Sequence, residues 1–393
     1  MTRFPAAPDR PLVPLAPVFG PGALGAAASP SVLDAGPVRM VTSGRIAIAN
    51  ALAEMQIGAG HEVLVPAYHS LSMVPPVLAC GARPVFYKVG ADTAVDLADV
   101  EAKLTPASRV LMATNYFGFP QALAQLRAFC DARDLLLLED CAHCFFGVHE
   151  GRPVGSWGDY AIASSMKFFP VYEGGCLVSA RHALTAPAPL SAGAGFEIKS
   201  ALNALELNFA YGRLPLMHAL LWLPLRIKDA VWRLARRRRA PDAAPLAPSS
   251  SDSSVEFDAY WLDKRASWFS RTVLRRSAHA SIVERRRRHY DQLEVAVAGL
   301  SGCRPLYPQL PAGACPWMFP LWVDQPEVVF QRLLAARVPV TRFAQSLWPG
   351  VNDSVCANSV ALSRHVLAFP CHQGLRADDM AWLVTALRAA VRA

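Results

Sequence analysis

The chain has 393 residues, 53% of them hydrophobic and 18% charged, so it can bury a large core and is predicted to form two domains. This composition excludes a disordered protein, and the net charge of +8 is concentrated in two arginine runs, so no nucleic-acid partner is predicted. Nine cysteines without repeated spacing are unlike a disulfide framework and favour a reducing compartment, the cytoplasm.

Composition along the chain predicts four segments. Residues 1–38 are rich in Pro, Ala and Gly and are expected to form an extended N-terminal segment over the surface or over a partner subunit. Residues 39–195 are predicted to form a large domain, 196–255 an arm with a basic run and linker, and 256–393 a smaller C-terminal domain.

Helical and strand patterns alternate from Val41 onward. Ser43-Gly44 precedes IAIANALAEMQIG, whose apolar spacing is helical, and a helix N-terminus can bind phosphate, although an ordinary helix cap explains the same residues. HEVLVPAYHS reads as a strand with a turn at Pro66, after which Tyr68 or His69 could stack on a flat ligand. Further strands and helices follow as ARPVFYKV, residues 96–104, RVLMATNYFG, QALAQLRAFCDAR and LLLLED. This repeated pattern predicts a mostly parallel α/β sheet.

The stretch from Leu135 to Gly175 carries features of a site for pyridoxal phosphate (PLP). Asp140 ends an apolar strand, where ligands of α/β sheets bind, and PLP needs an acid beside its pyridine nitrogen. It also needs a lysine whose neutral amine bonds to the cofactor aldehyde. Of the six lysines, Lys167 alone lies between an apolar strand, DYAIASS, and a glycine pair, Gly174-Gly175, which can bring the backbone close to a ligand.

Each of these features also has an interpretation that involves no cofactor. A carboxylate at a strand end often caps a helix, and a single lysine is usually solvated; their joint occurrence favours the cofactor site. Cys141 and Cys144 form a CxxC, but no second pair completes a zinc site, so no metal is predicted and both are interpreted as packing residues.

In this order, the motifs SGR, VLVPAYHS, NYFG, EDCAH, GRPVGSWGD, SSMK and EGG resemble those of the DegT/DnrJ/EryC1/StrS aminotransferases. The resemblance is dense from about Val41 to Ala180 and weaker from about Glu284 to the end. It implies the aspartate-aminotransferase fold (fold type I), with a large domain built on a mostly parallel sheet and a smaller C-terminal α+β domain. It also implies PLP as cofactor and a homodimer.

The same resemblance implies roles for individual residues. Ser43, Gly44 and Arg45 take the position of the phosphate-binding turn. His143 takes the position of a side chain near the phenolic oxygen of PLP, although a satisfied core histidine is an equal alternative. Ser164 takes the position of a phosphate-binding serine, with Ser165 as its rival.

The arm departs from the family pattern. Many relatives have a Gly-x-Asn-x-Arg-like segment that reaches the neighbouring subunit's site, and here only Asn208 is a weak candidate. The apolar run Leu214–Leu225 is too short to span a bilayer and leads into Arg236–Arg239. Residues 214–239 are interpreted as an intersubunit arm, with peripheral contact to the inner membrane face as the alternative.

Long helical structure is predicted from Tyr260 to Leu293, and its four consecutive arginines cannot share one helix face. MFPLWVD and ARVPVTRF are predicted to be short strands around the helix EVVFQRLLA. A closing turn and helix follow, with His372 either near the mouth of the site or an ordinary turn residue.

These observations predict a cytoplasmic aminotransferase that moves an amino group from an amino acid, by resemblance glutamate, to a ketone. The resemblance favours a nucleotide-linked keto-sugar for polysaccharide or glycoside synthesis. Two alternatives stay open. One is PLP-dependent elimination or dehydration, although the family's known sugar dehydratases replace the lysine with His. The other is a non-catalytic, membrane-associated protein on the same scaffold.

Overall fold

The computed structural model describes residues 12–20, 22–236 and 254–392, with only the backbone described for 228–236. The predictions made for Arg237–Arg239, for residues 1–11 and for nearly all of the linker therefore fall outside the described residues.

The chain is built of strands and helices, which alternate through its first half. The strands are β1 (Val38–Val41), β2 (Glu62–Pro66), β3 (Arg83–Tyr87), β4 (Ser108–Thr114), β5 (Leu136–Asp140), β6 (Val148–His149), β7 (Arg152–Pro153), β8 (Tyr160–Ser164), β9 (Gly175–Val178), β10 (Cys303–Pro305), β11 (Met318–Val323) and β12 (Val366–Pro370). The helices are α1 (Gly44–Glu54), α2 (Val74–Ala79), α3 (Leu97–Ala102), α4 (Leu123–Asp131), α5 (Ala194–Ala210), α6 (Pro215–Arg236), α7 (Trp268–Arg276), α8 (His279–Val297), α9 (Pro326–Ala335), α10 (Asp353–His365) and α11 (Ala377–Arg392).

The main sheet of the described chain has the strand order β1-β9-β8-β5-β4-β2-β3. Strands β8, β5, β4, β2 and β3 are parallel, whereas β9 runs antiparallel to both of its neighbours. The predicted mostly parallel α/β sheet is thus confirmed. Because parallel strands end at the same edge, the segments that follow β2, β4, β5 and β8 converge there.

The C-terminal part contains an antiparallel sheet, β10-β11-β12, which forms one continuous hydrophobic core with the main sheet. The strand predicted for ARVPVTRF is wrong. Within it only Thr341 makes a β-bridge, exchanging hydrogen bonds of 3.0 and 2.8 Å with Ala368. The domain boundaries given above stay a prediction.

The predicted continuous helix from Tyr260 to Leu293 is wrong: residues 262–267 are not helical, and the helix is interrupted again between α7 and α8. Ser277 is extended, and the N-terminal segment pairs with the backbone on either side of it. The amide of Gly25 donates to the carbonyl of Arg276 at 2.9 Å, and the amide of Ala278 donates to the carbonyl of Ala23 at 3.1 Å. The described N-terminal segment therefore packs on its own chain, and its pairing supplies hydrogen-bond partners to the backbone at the break between α7 and α8.

The arm contains α5 and α6, and α6 continues through Pro224. Asn208, the weak candidate for an intersubunit contact, is buried within its own chain: its Oδ1 accepts from the amide of Phe19 at 2.6 Å and its Nδ2 donates to the carbonyl of Ala204 at 2.7 Å. Those bonds tie the N-terminal segment to α5. None of the described helices is long and apolar enough to cross a membrane.

Candidate active site

A cleft opens where β4, β5 and β8 end beside the start of α1. The predicted residues that line it are Ser43, Gly44, Arg45, Asp140, His143, Ser164 and Lys167. Its empty space, including the solvent-open volume at the mouth, is about 550 Å³. Residues far apart in sequence are therefore brought together by the sheet edge.

One end of the cleft is formed by the N-terminus of α1. The hydroxyl of Ser43 caps the helix by accepting a hydrogen bond from the amide of Ile46 at 3.3 Å. Ser164 lies against this turn, close enough that a Cβ on Gly44 would come within 3.6 Å of the Ser164 Cβ. A helix N-terminus and a hydroxyl together suit an anionic group. The rival, Ser165, is fully buried and does not line the cleft.

The glycine pair holds this end together. The amide of Gly174, which has φ of +126°, donates to the carbonyl of Thr42 at 2.8 Å, and its own carbonyl accepts from the amide of Ser165 at 2.9 Å. A Cβ on Gly175 would lie 2.5 Å from the backbone carbon of Ser43. Because neither glycine has a side chain, β9 can pack directly against the turn at Ser43 and Gly44. The close approach that the pair allows is therefore to the protein's own backbone.

Arg45 joins this end of the cleft to the arm. Its guanidinium donates to the carbonyl of Ser254 at 2.8 Å and also to the carbonyl of Glu256. The chain segment that follows the linker is thereby held beside the cleft. No local sequence pattern predicts this contact, because it joins residues more than 200 positions apart.

The strand β5 presents two buried carboxylates with different partners. Glu139 accepts hydrogen bonds from the amides of Gly155 (2.8 Å), Trp157 (3.2 Å) and Gly158 (3.3 Å), and so anchors a loop away from the cleft. The two oxygens of Asp140 accept from the amide of Ala142 at 2.8 Å and from the hydroxyl of Thr114 at 3.2 Å. Successive side chains of a strand lie on opposite faces of the sheet, so Glu139 anchors the loop on one face and Asp140 lines the cleft on the other.

Lys167 ends a 3-10 turn, Ser165–Lys167, that follows directly on β8. Its Nζ lies 4.7 Å from the centroid of the Trp317 ring, a distance typical of a cation–π contact. Its backbone carbonyl accepts a 2.9 Å hydrogen bond from Arg286 on α8. Both the amine and the turn that carries it are therefore held by the C-terminal half of the chain.

His143 is a buried wall of the cleft. Its ring stacks on Trp317 with 3.9 Å between centroids and meets Phe343 edge-on at 4.7 Å. Burial, and then the positive charge of Lys167, hold the pKa of His143 well below its ordinary value, so the ring is neutral. Among the described residues its Nδ1 has no hydrogen-bond partner, which leaves that atom available to a ligand.

His69 does not line the cleft, so the structure does not support its predicted stacking on a cofactor ring. Its Nδ1 donates to the carbonyl of Ala67 at 3.0 Å, and its Nε2 accepts from the amide of Trp348 at 3.1 Å. The ring stacks on Phe86 at 5.0 Å. These contacts hold the imidazole in the core, where it links β2 and β3 to the C-terminal half.

Several lining residues were missed by sequence reasoning: Ser70, Ser72, Met73, Thr114, Met166 and Phe343. Thr114 had a usable signal, because it ends the predicted strand next to the one that ends at Asp140. Phe343 had none, since it lies about 200 residues from Asp140 and reaches the cleft only through the tertiary fold. His372, a candidate for the mouth, is instead a buried turn residue whose Nε2 donates to the carbonyl of Pro14 at 3.0 Å.

Known proteins resemble this chain at the level of sequence. GDP-perosamine synthase of Vibrio cholerae is 33% identical over 142 residues, which are 35% of this chain and 39% of that protein. The UDP-N-acetyl-3-dehydro-alpha-D-glucosamine 3-aminotransferase of Acidithiobacillus ferrooxidans is 33% identical over 145 residues, 35% of this chain and 38% of that protein. The matched segment thus spans less than two thirds of either relative.

Solved structures share the fold over most of the chain. A putative sugar aminotransferase, Spr1654 from Streptococcus pneumoniae in its PLP form, has a TM-score of 0.66 at 16% identity, over 96% of this chain and 98% of that one. The 3-amino-5-hydroxybenzoic acid synthase has a TM-score of 0.62 at 21% identity, over 90% and 86%. The predicted fold type I is confirmed. The family profile matches residues 33–238, just over half of the chain, and the chain therefore belongs to the DegT/DnrJ/EryC1/StrS aminotransferase family.

Proposed function

We propose that this protein is a PLP-dependent aminotransferase that moves an amino group from an amino acid to a keto group on a sugar. The observation that carries the proposal is the joint placement of Lys167, Asp140 and the Ser43–Gly44 helix start around one cleft. An amine, a carboxylate and an anion-binding turn are the groups that PLP requires. The unpartnered Nδ1 of His143 supplies a further polar atom on the same wall.

When bound, PLP supplies an electron sink for negative charge that develops on the amino acid's α-carbon. Asp140 would hold a proton on the pyridine nitrogen, and Thr114 and the amide of Ala142 keep its carboxylate oriented. Ser43, Gly44 and Ser164 would bind the phosphate. Lys167 would hold the cofactor and then move a proton at the substrate carbon, and Arg286 fixes the turn that carries it.

The proposed substrate class is supported by the names of the relatives, which specify a GDP-linked perosamine, a UDP-linked glucosamine derivative and a scyllo-inosose. A nucleotide-linked keto-sugar is proposed as acceptor, for polysaccharide or glycoside synthesis. Glutamate is proposed as donor, with glutamine as the competing donor because several relatives carry L-glutamine in their names. Lys167 favours transfer over dehydration within this proposal, because the family's known sugar dehydratases have His in place of that lysine.

The protein is further proposed to be a cytoplasmic homodimer. Its nine cysteines are free thiols, as a reducing compartment would keep them. Leu190, Ile198 and Trp268 expose apolar surface on segments that contact one another, and this surface suits a subunit interface. A monomeric mass by light scattering would contradict the dimer.

The test of function is chemical trapping of PLP. The purified protein is incubated with PLP and borohydride, digested, and examined by mass spectrometry. The cofactor mass is expected on the peptide that contains Lys167, and Lys167→Ala should lose it, whereas Lys103→Ala, which removes a lysine paired with Asp99 at 2.6 Å outside the cleft, should keep it. Labelling that persists in Lys167→Ala would refute the assignment. Visible absorbance after adding L-glutamate or L-glutamine then identifies the donor.

A further inference from the structure

The helix α6 has an apolar face that the described residues of its own chain leave uncovered. Leu216, Leu220, Leu223 and Ile227 are 87%, 78%, 58% and 55% exposed. Their spacing of four, three and four residues places them on one side of the helix. Four bulky side chains in a row form an apolar stripe, and stripes of this kind mark an interaction surface.

The rest of the protein contacts the opposite side of α6. His218 stacks on Phe209 of α5 with 4.7 Å between ring centroids, and Leu221 and Leu225 are half-buried. Residues 218, 221 and 225 share a helix face that lies away from the stripe. The apolar stripe therefore points away from the protein body, where a separate surface can reach it.

The charges on α6 are mostly positive. The helix carries Arg226, Lys228, Arg233 and Arg236 against a single acidic residue, Asp229, and the sequence continues with three more arginines. Arg226 is exposed and lies at a helical position between the stripe and the side that contacts the protein body. Apolar side chains beside basic ones are the pattern of a helix that lies in the plane of an anionic bilayer.

A second copy of the chain fits the stripe less well. The whole chain carries a net charge of +8, and two α6 helices packed in parallel would place their basic C-terminal halves side by side, whereas an anionic surface attracts the same residues. The linker after α6 is also a poor occupant, because APDAAPLAPSSSDSS contains one bulky apolar residue, Leu246. Charge complementarity therefore selects an anionic partner.

We propose that α6 docks the protein on the surface of a bilayer that contains anionic phospholipid, with the stripe Leu216, Leu220, Leu223 and Ile227 inserted among the acyl chains and the basic residues among the headgroups. This inference is independent of the aminotransferase reaction. The docked helix would lie parallel to the membrane and hold the cleft close to it.

The experiment is co-sedimentation of the full chain with vesicles of phosphatidylcholine alone or with added phosphatidylglycerol. The wild type is expected to pellet only with the anionic vesicles, and less at high salt. Leu220→Glu with Leu223→Glu should lower the partition coefficient about tenfold or more. Arg226→Gln, Lys228→Gln and Arg233→Gln should lower it about fivefold for each charge removed.

The matched control is Val295→Glu with Leu334→Glu, which places the same charges at exposed apolar positions on α8 and α9 and should pellet like the wild type. Wild-type protein that stays in the supernatant with anionic vesicles would overturn the proposal. So would a stripe variant that binds vesicles like the wild type but has a smaller mass by light scattering, since that result assigns the stripe to a second copy.

Discussion

Arg286 is the one fully buried arginine of the four-arginine run in α8, and its partners are backbone carbonyls and an amide. It donates to the carbonyls of Lys167 (2.9 Å), Pro316 (3.1 Å) and Trp317 (3.0 Å) and to Oε1 of Gln373 (2.9 Å). Gln373 in turn donates to the carbonyl of Phe168 at 2.7 Å. Arg286 thus fixes both the turn that carries Lys167 and the segment with Pro316 and Trp317 that precedes β11.

We predict that Arg286→Met destabilises the protein by about 3 kcal/mol or more, because it leaves several buried carbonyls without donors. Arg286→Lys should destabilise the protein less than Arg286→Met does. It should still lower kcat, with little change in KM for the donor, because it loosens the turn that carries Lys167 without touching the substrate. Chemical denaturation and steady-state kinetics measure both effects.

Arg288→Met is the matched control on the same helix. Arg288 is half exposed and meets Glu284 only at 3.4 Å, so its replacement should change stability by no more than about 0.5 kcal/mol. Equal effects of the two Met variants, or an Arg286→Lys variant with unchanged kcat, would contradict a positioning role for Arg286.

The residues that sequence reasoning could predict are those with a local signal. Asp140 and Lys167 follow apolar strands, and Ser43 precedes a helical pattern, so each was placed by its neighbours in sequence. Trp317 and Arg286 lie 150 and 119 residues after Lys167, and no local pattern distinguishes Arg286 from the three arginines beside it. Their roles depend on packing between distant segments, which a single sequence does not reveal.

At the scale of elements, the site depends on how closely β9 approaches the start of α1. Gly175 begins β9 opposite Val41 of β1, and its α-carbon faces the turn at Ser43 and Gly44. The sequence predicted that the glycine pair brings backbone close to a ligand, whereas the structure places the backbone of Ser43 and Gly44 beside Gly175. The sequence could not indicate that the neighbour is the helix start, because that contact joins residues about 130 positions apart.

We predict that Gly175→Ala destabilises the protein by about 1–3 kcal/mol and weakens PLP binding. The added Cβ would lie 2.5 to 2.7 Å from backbone atoms of Ser43 and Gly44, and backbone cannot move aside as a side chain can. Thermal unfolding and a PLP titration measure the two effects.

Gly58→Ala serves as the comparison, since its Cβ would meet only the carbonyl of Cys80 at an ordinary 3.6 Å. That variant should be within about 0.5 kcal/mol of the wild type and bind PLP normally. A Gly175→Ala protein with unchanged stability and unchanged PLP affinity would show that neither property depends on the close approach of β9 to the start of α1.

Over the whole molecule, buried neutral histidines join segments that are distant in sequence. His69 and His372 each donate from one ring nitrogen and accept at the other, from Trp348 and Gly374 respectively, so each geometry requires the neutral ring. Burial lowers the pKa of His69 to about 4 and that of His372 to about 3. Burial likewise lowers the pKa of His289 to about 4.

These histidines make the fold sensitive to acid. In the unfolded chain each has a pKa near 6.5, so between pH 6.5 and about 4 the unfolded chain binds protons that the folded protein excludes. Stability therefore falls as the pH falls through that window. Between pH 7 and pH 5 each of these histidines should lower the free energy of unfolding by about 2 kcal/mol. Glu54, whose pKa is lowered to about 2, loses its contribution only below pH 4.5.

Glu173 acts in the opposite direction within the same window. Burial raises its pKa to about 7, despite hydrogen bonds from Ser270 and Ser267 that lower it. The folded protein therefore binds a proton at Glu173 that the unfolded chain, with a pKa of 4.5, does not bind until the pH is lower. Its contribution to stability rises as the pH falls from 7 to 5, by about 2 kcal/mol.

We predict that the free energy of unfolding of the wild type decreases from pH 7 to pH 5, because these three histidines and the buried neutral His143 together outweigh Glu173. Glu173→Gln removes the opposing contribution, so its decrease should be about 2 kcal/mol larger. Urea denaturation of both proteins across this range measures the two slopes. A wild-type stability that is flat or rises toward pH 5 would contradict the neutral histidines, and equal slopes for the two proteins would contradict the raised pKa of Glu173.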